Sequence, residues 1–167
     1  ITLNSIGSVY YYQEKYLEAN NAYKQALELS KRIDDKSLVA YSLKSIGIIS
    51  WIEGNTFLDH GDTINAIKRY DDAFGKIDTA IKIFQGLKNN TGLMETYPFL
   101  GNVYEKLGHI SKQKGNTALG HKQLSLALKY NHDFLEMAAE VNDENYIGEA
   151  ANNLGRIYYG VQHFKEA

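Results

Sequence analysis

Along the chain, runs of apolar positions are punctuated by a glycine, followed in three of four cases by a tyrosine three residues later. The pattern reads Ile6-Gly7…Tyr10, Ile46-Gly47, Leu100-Gly101…Tyr104 and Leu154-Gly155…Tyr158. Gly7 and Gly47 are 40 residues apart, and Gly101 and Gly155 follow at steps of 54. Repetition at such a period belongs to stacked helical arrays, in which each unit buries its apolar face only against its neighbours. Ala19, Tyr23 and Ala26 fall on one face of a second helix. Small residues at Gly7 and Ala19 suit a close crossing of two antiparallel helices, with Tyr10 and Tyr23 filling the space beside it. A bulky side chain at Gly7 is expected to overpack, at a cost of about 1–3 kcal/mol.

The second and third units align without gaps. Gly54 pairs with Gly108, Gly61-Asp62-Thr63 with Gly115-Asn116-Thr117, Ala73 with Ala127, and Leu87 with Val141. Relative to the first unit, both carry fourteen extra residues between the glycine and the alanine of the second helix, close to four helical turns. Seven added to each helix would move the turn to Gly61 and Gly115. Glycine followed by Asp or Asn reads there as a helix stop running into an N-cap. The alternative keeps the turn at Gly54-Asn55-Thr56 and makes the insert a short separate helix. We favour elongation, which places Gly54 and Gly108 inside helices at about 1 kcal/mol each. Pro98 requires the third unit's first helix either to start near Tyr97 or to kink there. Phe164-Lys165-Glu166-Ala167 matches Tyr16-Leu17-Glu18-Ala19. The expected organisation is one array with units at about 1–40, 41–94, 95–148 and a truncated 149–167.

Composition narrows the chemistry. A single proline and thirteen tyrosines in 167 residues favour long helices with aromatic seams. A net charge of −2 points away from a general nucleic-acid binder. Without cysteine there is neither a disulfide framework nor a thiolate metal site. No apolar run reaches the roughly 18–20 residues of a membrane span, and no signal peptide is present. The chain opens at Ile1 without methionine, so we expect a piece of a longer protein. None of His60, His109, His121, His132 and His163 forms an HExxH or i,i+4 histidine pair, so no zinc site is expected. No phosphate-loop, nucleophile-elbow or dinucleotide fingerprint occurs, and no enzyme or cofactor is expected. Lys106, Lys112, Lys114, Lys122 and Lys129 occur with no acid between them, then Asp133, Glu136, Glu140, Asp143, Glu144 and Glu149 with no base. Loose pairing of exposed helix faces is the favoured reading of this asymmetry, over a basic patch for an acidic partner.

Leu3-x2-Ile6-Gly7-x2-Tyr10 followed by Ala19-x3-Tyr23-x2-Ala26 resembles the tetratricopeptide repeat (TPR). The resemblance runs through the chain, departing at Ser50, Asn131 and Phe134. Its long helices resemble those of the TPR arrays of bacterial signalling proteins. The resemblance implies an all-α, α-α superhelix (a TPR solenoid) with elongated helices in units two and three. It also implies a cytoplasmic protein-interaction module that binds a peptide or helical segment in a groove lined by the first helix of each pair, as part of a larger regulatory protein. A receptor for a short signalling peptide, or a self-association array joined through its exposed repeat ends, are the alternatives. Counting from each glycine, the groove positions are Asn4, Ser8 and Tyr11, then Lys44, Ile48 and Trp51. Phe99 and Asn102 follow, then Asn152, Asn153, Arg156 and Tyr159. Tyr12, Ile52, Glu105 and Lys106 complete the counted positions. Asparagine both donates and accepts, which suits the backbone of an extended peptide. Tyr11, Trp51 and Tyr159 are candidate aromatic anchors, although Trp51 equally suits packing between repeats. The carboxylate clamp of some TPR domains needs Lys/Asn and Lys/Arg pairs. Asn4 with Ser8 and Pro98 with Phe99 stand in their place, so no chaperone-tail binding is expected.

Overall fold

In the computed structural model, residues 2–163 are described, with side chains through residue 160. They form helices α1 (Leu3–Tyr12), α2 (Tyr16–Arg32), α3 (Lys36–Asp59), α4 (Thr63–Gly86), α5 (Asn90–Met94), α6 (Tyr97–Gln113), α7 (Thr117–Glu140) and α8 (Glu144–His163). No strand occurs among the described residues. Consecutive helices pack as neighbours: α1 on α2, α2 on α3, α3 on α4, and in turn α6 on α7 and α7 on α8. The fold is therefore the all-α repeat of helix pairs. It divides into two compact units, one ending at Leu93 and the other beginning at Met94. The match of Phe164–Ala167 to the start of α2 lies outside the described residues.

One local device makes every long-helix turn. After the last helical turn comes a residue with positive φ: Glu14 (58°), Asp34 (54°), Gly61 (78°), Lys88 (52°), Gly115 (82°) or Asn142 (53°). The next residue sends its N–H back five residues, as Lys15 to the Tyr10 carbonyl (2.9 Å), Asp62 to Phe57 (2.8 Å) and Asn116 to Ser111 (2.9 Å). This bond closes the ending helix in a Schellman stop. In five of the six turns the same residue is Asp or Asn and caps the helix that follows. Asp35 accepts from the Leu38 N–H (2.9 Å), Asp62 from Asn65 (3.0 Å), and Asn89 from Gly92 (2.9 Å). Asn116 accepts from Leu119 (3.2 Å) and Asp143 from Tyr146 (3.1 Å). Lys15 makes no such side-chain bond. One residue thus ends one helix and starts the next, which keeps the pairs antiparallel and tight.

Elongation occurs as whole turns. The second helices α4 and α7 are 24 residues long, against 17 for α2. α3 is also 24 residues, and Gly54 lies buried inside it. The third unit differs. The stretch from Asn90 to Gln113, which corresponds to α3, is divided into α5 and α6. Pro98 lies in the first turn of α6. There its missing N–H costs nothing, whereas in a continuous helix its ring would strike the carbonyl four residues earlier.

Measured from the turns, the counterparts of Gly7 are Gly54 and Gly108. A Cβ on Gly7 would lie 2.5 Å from the Tyr23 ring, one on Gly54 2.6 Å from Tyr70, and one on Gly108 2.8 Å from Leu124 Cγ. Gly47 and Gly101 form a further layer, against Ile77 and Asn131. The glycines let the second helix insert a large side chain under the first. That close approach is why the interior of a long helix keeps residues of such poor helical propensity. The buried tyrosine then bonds the residue after its glycine: Tyr23 OH donates to Ser8 Oγ (3.3 Å) and Tyr70 OH to Asn55 Oδ1 (2.8 Å).

Ser50 replaces the tyrosine of the signature, and the second helix changes with it. Buried Ser50 donates to Asp72 (2.7 Å), which also accepts from Lys76. One repeat later the corresponding residues are Tyr104, Leu126 and Tyr130, and the two tyrosine rings stack at 5.8 Å. A polar triad in one repeat thus gives way to an aromatic pair and a leucine in the next.

Candidate functional site

On α6, Leu100, Val103, Leu107 and Ile110 are buried. Asn102, Glu105, Lys106 and His109 form the adjoining flank by their three- and four-residue spacing. On α8, Ala150, Leu154 and Ile157 are buried, with Asn152, Arg156 and Tyr159 on the next face round. The two polar flanks meet. Arg156 Nε donates to both Glu105 oxygens at 3.1 Å, and its Nη2 lies 2.8 Å from Glu105 Oε2 and 2.6 Å from Asn102 Oδ1. The His109 Nε2 stands 3.8 Å from Glu105 Oε1.

Glu105 is only 4% exposed. Burial opposes its charge, yet the neighbouring His109 and the Arg156 guanidinium outweigh that and hold the carboxyl below its ordinary range. Arg156 keeps half of its side chain in solvent. The cluster is therefore a cation presented at the surface on a buried, ionised support.

His109 follows from the packing beneath it. It occupies the place of Ser8 and Asn55, but its partner on the second helix is Leu124, which has no hydroxyl to donate. The imidazole lies beside Glu105 instead.

The other expected groove residues are distributed as follows. Asn4 Oδ1 accepts from Ser42 (3.1 Å), and Ser8 donates to the Asn4 carbonyl (3.1 Å). Tyr11 meets Tyr12 and Tyr16 edge-on, and burial followed by Tyr16, Tyr12 and Tyr23 pushes its phenol up. The Lys44 ammonium sits 5.0 Å above the Tyr41 ring. Ile48 and Asn153 are buried, Trp51 and Phe99 are half-buried, and Asn152 and Tyr159 are exposed. The structure thus joins the Asn102 and Arg156 side chains, whereas the Asn4 side chain bonds Ser42 and Ser8 donates to the backbone of its own helix. It turns Ile48 and Asn153 inward.

Glu105 lay among the counted positions, but nothing in its local pattern marked it as the support of Arg156. As a sequence motif His109 bears only on zinc-site spacings, and it meets none of them. An alignment on the turns would have placed His109 level with Ser8.

In the lysine-rich and acid-rich stretches, Lys129 pairs with Asp133 at 2.7 Å along α7. Among the described residues no group of three or more His, Asp or Glu is placed to hold a metal ion. No described helix is long and apolar enough to cross a membrane.

Comparison with known proteins matches residues 1–33 to the family described as Tetratricopeptide repeat. No curated protein matches the sequence. The matched segment covers α1 and α2; its Schellman stop recurs at the later turns, and its packing of a glycine against a large side chain recurs at Gly54 with Tyr70 and at Gly108 with Leu124. The tetratricopeptide repeat is in general a protein–protein interaction module. Residues 1–33 thus match the tetratricopeptide repeat, and the helix pairs that follow them continue an all-α repeat.

Proposed function

We propose that the face shared by α6 and α8 docks an extended or helical segment of a protein partner. The observation that carries the reading is the Asn102–Glu105–Arg156 network, which joins two successive first helices and leaves Arg156 half-exposed. Exposed Asn152 and Tyr159 lie on the same face of α8 by their spacing of four and three residues from Arg156. Together these groups offer donors, acceptors and an aromatic surface at one place, the mixture that peptide recognition uses. In the other unit, Asn4 on α1 accepts from Ser42 on α3, a second polar bond between successive first helices.

The test selects binders from a pool of short capped random peptides and measures them by fluorescence polarisation. Replacing exposed Asn152 and Tyr159 together by alanine is expected to weaken the selected peptides about tenfold or more with an unchanged melting temperature. Equal affinity for wild type and variant would refute the proposed face.

A further inference from the structure

Asn131 on α7 and Asn153 on α8 interrupt the apolar interior of the array at two places that meet. Asn131 is fully buried and Asn153 is 5% exposed. The two helices pack as neighbours, with Ala127 and Ile157 in one apolar cluster and the Phe134 and Tyr146 rings 5.8 Å apart. Asn131 is one turn beyond Ala127 and Asn153 one turn before Ile157, so both sit in the stretch of seam between those contacts.

Their unmet hydrogen bonds are complementary. The Asn131 amide lies against Gly101 of α6 and donates to the Ala127 carbonyl (2.9 Å). That leaves its Oδ1 a buried acceptor with no partner among the described residues. Asn153 has the opposite need: its Nδ2 is a buried donor with no partner among the described residues. A single buried water joins such a pair by donating to the Oδ1 and accepting from the Nδ2.

The polarity changes on both helices together. In the ungapped alignment of units two and three, Asn131 stands where α4 has buried Ile77, and Asn153 where α6 has Phe99. α4 and α7 are each 24 residues long, and both place this residue against a glycine of their first helix. Near-copies of this kind can stack in the wrong order. An apolar helix seated on α7, or α8 seated on α4, would bury one asparagine with nothing to bond, a loss that the matched pair avoids.

We propose that Asn131 and Asn153 form a water-bridged polar key that selects α8 as the helix stacked on α7. The key acts within the α7–α8 seam and is independent of what docks on the α6–α8 face.

Native-state amide exchange across residues 147–160 reads the opening of α8. Asn131→Ile takes the residue that α4 uses, and Asn153→Leu keeps the size of asparagine. Each alone creates a mixed pair, and together they create an apolar one. Asn153→Leu is expected to raise the opening equilibrium in wild type and to lower it in the Asn131→Ile background, a difference of about tenfold. An equal effect in both backgrounds means that the two asparagines act separately, and overturns the key. A crystal structure of wild type carries the test even if the mixed pairs fold poorly. One water bonded to both Asn131 Oδ1 and Asn153 Nδ2 is expected there, and a well-ordered seam without it overturns the proposal.

Discussion

Gly54→Ala sets two ordinary effects against each other. Inside the 24-residue α3, replacing glycine by alanine should gain about 1 kcal/mol of helical propensity. The new methyl, however, would lie 2.6 Å from Tyr70 Cε1 and 2.8 Å from Cδ1. The ring cannot easily withdraw: Tyr70 is fully buried, and its hydroxyl is tied to Asn55 at 2.8 Å. Overpacking of this kind costs about 1–3 kcal/mol, and shifting the ring would forfeit a buried hydrogen bond worth about 1 kcal/mol more. The sum is a net loss of about 1–3 kcal/mol. Gly75 is the control. It lies exposed within α4 with no atom within 4 Å of a Cβ, so Gly75→Ala should stabilise by up to about 1 kcal/mol. Urea unfolding followed by circular dichroism reads both, and the two midpoints should move in opposite directions. A Gly54→Ala protein at least as stable as wild type would refute the packing account of the interior glycines.

Further predictions concern the turns, the repeat exchange and pH. Lys88 holds φ at 52°, a conformation that costs a non-glycine residue about 1 kcal/mol or more, so Lys88→Gly should raise the melting temperature despite the added freedom of the unfolded chain. Ser50→Tyr alone should destabilise by about 1–3 kcal/mol, because Asp72 and Lys76 occupy the space. Adding Asp72→Leu and Lys76→Tyr should recover most of that loss by recreating the Tyr104–Tyr130 stack with Leu126 beside it, and chemical denaturation measures both steps. The Glu105 carboxyl titrates lower in the folded protein than in the unfolded chain. Its contribution is therefore complete above the ordinary carboxylate value and is lost as pH falls through the lowered folded value. Glu105→Gln should flatten that acid limb in melting curves collected across the range.

The local signals read true where short-range chemistry decides. Glycine followed by Asp or Asn marked the turns at Gly61 and Gly115, because a positive φ and a helix cap need those residues at those places. Asp34 and Asn142 tolerate the same geometry less visibly, and Glu14 and Lys88 adopt it with no sequence mark at all. Pro98 set the start of α6 for the same local reason. Register was harder. Gly7 and Gly47 share a flanking pattern, but only the distance to the turn shows that Gly54 answers to Gly7, and that distance depends on which helix carries the inserted turns. The site was legible in its members more than in its arrangement. Asn102 and Arg156 are 54 residues apart, and their meeting depends on how α6 and α8 pack. Whether an asparagine turns outward like Asn152 or inward like Asn153 is decided by a rotation of α8 that its polar pattern leaves open.

Site-directed photocross-linking tests the central claim most directly. A benzophenone amino acid replaces Asn152 on the α6–α8 face or, as control, exposed Glu136 on α7. The protein is then irradiated with the capped random-peptide pool. The account predicts peptide adducts from position 152 and none above background from position 136. Adducts from 136 alone, or equal yields from both, would contradict the assignment of the α6–α8 face as the docking surface.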